Sequence, residues 1–197
     1  MKDSSLSAKK HDKKVYITDI AIEKIPKIEY KGLSQKENEA LFRLARMVLM
    51  TSKLENDSNE VAITCTLDSD DPMDVIGVSL GEEHSVNICA NTVANHLIVS
   101  SRMCAVVIMH NHPSTQTLSL EDIHFLLSYS SVRFMIVVTN QGNVHYLCKD
   151  SAYSYEAARE LYNDSINNLD KKSSKKEIYL AGLSFLARCS EVGLFYS

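Results

Sequence analysis

The chain has 197 residues, 45% of them hydrophobic, which suits one domain with a sizeable core. Its net charge of −4 provides no overall electrostatic case for nucleic-acid binding, and no apolar run is long enough to span a membrane. Five widely spaced cysteines with no CxxC pair indicate neither a thiolate zinc knuckle nor a disulfide framework, and fit a reducing, cytoplasmic location.

Residues 1 to 14 are rich in Lys and Ser and read as a solvated, disordered tail without the apolar segment of a signal peptide. Val15 to Glu23 alternates and is predicted as a strand. Ser34-Gln35-Lys36-Glu37 is a capping box, opening a helix to about Ser52 whose apolar face carries Leu41, Leu44, Ala45 and Val48. Glu60 to Leu67 and Asp74 to Leu80 read as strands joined by the acidic turn at 68–72. Cys89 to Ser101 is a predicted helix, Ala105 to His110 a strand and Ser119 to Ser130 a helix. Phe134 to Thr139 and Val144 to Leu147 form a hairpin around Asn140-Gln141-Gly142-Asn143. Beyond Asp150, Tyr153 to Leu169 and Lys176 to Val192 both read as helices, with packing on the core as their default role. The order predicts an α/β (α+β) fold, a mixed sheet flanked by helices. It divides the chain into the tail (1–14), a main domain (15–150) and a C-terminal helical extension (151–197).

Chemistry concentrates in His110-Asn111-His112-Pro113-Ser114 and Ser119-Leu120-Glu121-Asp122. Residues two apart on a strand share a face, so His110 and His112 offer two imidazoles to one point. Ser119 begins the next helix and Asp122 follows three residues on, which turns the carboxylate back toward the strand end. Two His and one Asp make three ligands and leave a fourth position for water, the pattern of a catalytic zinc. A plain helix cap by Ser119 and Asp122 is the competing explanation, and the two are compatible. Asn111 points to the opposite face, which suggests a structural role. His11, His84, His96, His124 and His145 lack such a setting and are expected to be non-ligands.

His-x-His followed by Ser-x-x-Asp resembles the motif of the JAB/MPN (JAMM) metalloproteases, in particular their RadC-like branch. The resemblance covers roughly residues 15 to 150. It implies a cytidine-deaminase-like three-layer arrangement, a Zn2+ cofactor, and an upstream glutamate as general base. Glu60, at the mouth of an apolar strand, is the best-placed candidate, with Glu55, Glu82 and Glu83 as competitors. Ser119 would donate a hydrogen bond to the oxyanion. The chain departs from the family pattern in two places: six residues rather than seven separate His112 from Ser119, and Thr115 stands where the family has Gly. Gly takes positive φ and a β-branched residue resists it, so this loop must follow another path.

The resemblance points to a peptidase or isopeptidase. The alternative it carries is a RadC-like role in DNA repair, recombination or mobile elements, on or near nucleic acid. Residues 1 to 55 show no Gly-containing helical hairpin of the kind RadC proteins have, which weakens that alternative. A non-catalytic scaffold fits poorly with a full ligand set. The substrate and oligomeric state are not fixed by the sequence; a homodimer is kept as an option, and no membrane partner is expected.

Overall fold

The computed structural model describes residues 14–197. The tail prediction for the preceding residues, and His11 with it, lies outside them. Lys14 is tied down: its ammonium donates to Asp57 at 3.1 Å and to Asn59 at 2.8 Å.

A mixed six-stranded sheet carries helices on both faces. Its strands are β1 (Val61–Thr66), β2 (Gly77–Leu80), β3 (Val106–His112), β4 (Val132–Thr139), β5 (Val144–Lys149) and β6 (Leu194–Tyr196), in the order β2-β1-β3-β4-β5-β6. Only the β3–β4 pair is parallel. β1 and β3 are buried at every position, as expected for central strands covered on both sides.

Helices α1 (Asp19–Glu23) and α2 (Gln35–Glu55) cover one face. There Leu41, Leu44, Val48, Ile63, Met109, Phe134 and Tyr146 form one apolar cluster. The predicted capping box of α2 is present, with both Ser34 and Glu37 bonds made. Helices α3 (Thr92–Ser100), α4 (Leu120–Ser128), α5 (Tyr155–Ile166) and α6 (Lys175–Arg188) cover the other face. Residues 151–197 are thus packed on the sheet: Leu161, Ala181, Phe185 and Leu186 share a core with Ile108, Ile123 and Val137.

Several expected boundaries move. Val15–Glu23 is not a strand: Thr18 caps α1 by accepting from Ala21 N, and the only strand-like contact is Val15 N to Pro113 O. An alternation spread over so few residues is equally served by one short turn that buries Ala21 and Ile22. The Cys89–Ser101 helix is split, because Asn91 caps Thr92–Ser100 after a 3-10 turn at Ile88–Ala90. β2 begins only at Gly77, since Asp74 N is taken by a turn to Asp71 O. β3 continues through Asn111 and His112, which pair with Val138 and Thr139. The last predicted helix stops at Arg188; a 3-10 turn and Gly193, at φ 75°, swing the chain into the unforeseen strand β6. A Cβ at Gly193 would lie 2.3 Å from the Ala152 carbonyl carbon, so only glycine fits that reversal.

Because α6 shares the core, Phe185→Ala is expected to destabilise the whole domain by about 3–5 kcal/mol in a single cooperative transition. Denaturant unfolding followed by circular dichroism checks this. An early, separate transition of the C-terminal helices would contradict it.

Candidate metal centre

The site sits at the C-terminal end of β3. His110 and His112 project from it toward α4, on the side of the sheet that α4 covers. Their Nε2 atoms are 3.0 Å apart. Asp122 comes from the first turn of α4, with its Oδ1 3.1 Å from His110 Nε2 and its Oδ2 3.5 Å from His112 Nε2. The two histidine side chains and the aspartate are 2%, 11% and 14% exposed. The helix cap by Ser119 and Asp122 exists as well, as a full capping box: Asp122 Oδ2 accepts from Ser119 N at 2.7 Å and from Ser119 Oγ at 2.8 Å, and Asp122 N donates back to Oγ at 3.1 Å. The same carboxylate therefore makes the cap and faces both imidazoles. The cap fixes the carboxylate in direction, and the helix N-terminus favours its negative charge.

Tetrahedral zinc with bonds of about 2.0–2.1 Å requires ligand atoms about 3.3–3.4 Å apart. The two Nε2 atoms, 3.0 Å apart, lie near that value, and each ring has its own Asp122 oxygen close by, Oδ1 at 3.1 Å from His110 and Oδ2 at 3.5 Å from His112. Among the described residues, this is the one group of three or more His, Cys, Asp or Glu whose ligand atoms all lie within 4.8 Å of one another.

The imidazoles differ in their outer contacts. His112 Nδ1 lies 3.3 Å from the Gln116 carbonyl, which can only accept, so Nδ1 carries the proton and Nε2 faces the site. His110 Nδ1 is buried and has no protein partner. The Gln116 carbonyl is a functional element that sequence reading missed, because a backbone acceptor leaves no residue-type signal.

Glu60 lies two residues before Ala62, the cross-strand partner of His110, and so shares the histidines' face. It is 8% exposed. Burial raises its pKa, and the positive potential of His110 and His112 pulls the other way. It stands outside the three-ligand group, near enough to feel it electrostatically. Of its competitors, Glu55 and Glu82 are exposed and Glu83 pairs with His84 at 3.7 Å. Burial by itself would raise Asp122, yet the charges and hydrogen bonds of both histidines hold it well below the usual carboxylate range. For His112, burial is outweighed by the Asp122 hydrogen bond and charge, and its pKa is raised.

The five histidines set aside in the sequence stay outside the ligand group where they are described. His145 is nevertheless close. It pairs across β4 with Val137, itself the partner of His110, and its pKa is lowered by burial and by the nearby His112.

Asn111 points to the other side, as expected, into a buried polar knot. Its Oδ1 accepts from Val61 N at 2.7 Å. Its Nδ2 approaches Ser52 Oγ at 3.1 Å, Asn59 O at 3.1 Å and Asn140 Oδ1 at 2.8 Å. Asn140 in turn donates to Val15 O and Ser58 O. One side chain between the two histidines therefore binds the start of β1, the loop bearing Glu60 and the β4–β5 turn.

No family model, curated protein or solved structure matches this chain.

Asn111→Ala would strand several buried donors and acceptors and is expected to cost about 2–4 kcal/mol of stability. Chemical denaturation measures it; a loss below 1 kcal/mol, taken as roughly the worth of a single hydrogen bond, would show the knot to be dispensable.

Proposed function

We propose that the protein is a zinc-dependent metallohydrolase of the JAB/MPN type, RadC-like in its motif, cleaving a peptide or isopeptide amide. One observation carries the reading: one donor atom from each of His110, His112 and Asp122 lies within 4.8 Å of the others, with a buried glutamate on the same face. The mixed sheet with helices on both faces is compatible with the three-layer fold that this reading requires.

His110, His112 and Asp122 would hold the metal. Bound zinc would supply Lewis acidity, lowering the pKa of a water to about 7 and polarising a carbonyl oxygen. Glu60 is suited to move the proton. A carboxylate whose pKa is raised by burial accepts a proton from the attacking water and returns it to the departing amine more readily than an exposed one. Ser119 has a prior commitment, since its hydroxyl donates to Asp122. The reading therefore gives it two tasks: it keeps Asp122 aimed, and on substrate binding its hydroxyl turns to the oxyanion. Amide cleavage is favoured over the nucleic-acid alternative by the net charge of −4 and by a site whose charged side chains include two carboxylates, Glu60 and Asp122.

The first experiment is elemental analysis of the purified chain. About one zinc per chain is the stoichiometry expected of a three-ligand set with one open position, with little or none left in Asp122→Ala or His110→Ala. Glu60→Gln should keep the metal and lose roughly 10²–10⁴-fold in turnover on any amide substrate found by screening. A fully active Glu60→Gln protein would remove the glutamate from this role. A parent chain that takes up no added zinc would end the hydrolase reading, and salt-dependent DNA binding would then become the assay to run.

A further inference from the structure

We infer that Tyr196 is a positioning residue of the metal site, acting from strand β6 through Thr117 on the loop that orients His112. The inference rests on the metal-site reading above and extends it to a residue far from the motif.

The loop 113–118 between the second histidine and α4 provides the Gln116 carbonyl that holds His112 Nδ1. Besides that contact with β3, two hydrogen bonds among the described residues tie this loop to the rest of the chain. Val15 N donates to Pro113 O at 3.0 Å, at its start. At the other end the hydroxyls of Thr117 and Tyr196 are 2.8 Å apart. Thr117 is 8% exposed and directly follows Gln116, so its side chain sets where the neighbouring carbonyl points.

Tyr196 is itself firmly held. It pairs with Leu147 across the β5–β6 ladder, and the next residue exchanges both backbone hydrogen bonds with Tyr146 at 2.9 and 3.1 Å. Its ring lies nearly parallel to that of His145, at 20° and 6.5 Å between centroids. The hydroxyl thus arrives from a rigid strand. A ligand's outer hydrogen-bond partner fixes its tautomer and ring plane, and losing such a partner weakens metal binding about 10–100-fold. Tyr196 acts one step further out, on the loop that carries the partner.

The test uses the full chain with Tyr196→Phe, Thr117→Val and the double variant. Two quantities are measured: zinc affinity by competition with a chelator, and amide hydrogen exchange across residues 113–118. Each single variant should bind zinc roughly tenfold more weakly, the low end for an outer-sphere loss, and exchange faster in that loop while the rest of the chain is unchanged. The double variant should be no weaker than either single one, because both remove the same bond. Unchanged zinc affinity in the single variants overturns the inference, even if the loop exchanges faster. Additive losses in the double variant overturn it too. Thr117→Val carries the test alone if Tyr196→Phe does not fold. A parent that takes up no zinc overturns the metal reading and this inference with it, whereas a parent that binds and variants that bind equally overturn this inference alone.

Discussion

The carboxamide of Asn111 is the constraint on which the candidate site depends. It sits between the two histidines of one strand and points the opposite way, so whatever fixes Asn111 fixes both imidazoles. Ser52 of α2, the Asn59 carbonyl, the Val61 amide and Asn140 all meet it. Ser52, Asn111 and Asn140 are almost wholly buried. Buried polar groups of this kind are strong anchors only when each finds a partner, and here the amide's donors and acceptor are all engaged. The knot also holds the backbone next to Glu60. The proposed base and the ligands are thus braced from beneath by one side chain that does no chemistry.

Above the knot, electrostatics decides which groups are charged. Two carboxylates and two imidazoles share a largely buried site. Asp122 is closest to both rings, is capped by Ser119 and lies at a helix N-terminus, so it is held ionised. Glu60 is farther from the rings, and burial dominates its pKa. The environment pushes the two acids in opposite directions, as the proposed division between a metal ligand and a proton carrier requires.

The C-terminal segment is part of this machinery. Ala181 and Phe185 of α6 share a buried cluster with Leu120 at the start of α4, and Tyr162 donates to the Leu120 carbonyl at 3.4 Å. These contacts hold the first turn of α4, which carries Asp122, against the C-terminal helices. Strand β6 then reaches the other side of the site, where Tyr196 meets Thr117. Residues 151–197 therefore brace both the helix that carries the aspartate and the loop that touches His112.

What the sequence by itself determined is local. The period of a strand puts His110 and His112 on one face and Asn111 on the other, and Ser119-x-x-Asp122 specifies a capping box through contacts three residues apart. The long helix α2 was legible for the same reason, through Ser34, Glu37 and its apolar stripe. Short elements were not: α1 and β6 have too few residues for a period to show, and each is decided by what it packs against. The tertiary structure alone decided what surrounds the motif. Asn111 meets Ser52 across 59 positions, and Thr117 meets Tyr196 across 79. Contacts at such separations arise from strand pairing and helix packing, which no local pattern encodes, and His112 finds its acceptor in a backbone carbonyl that every residue possesses.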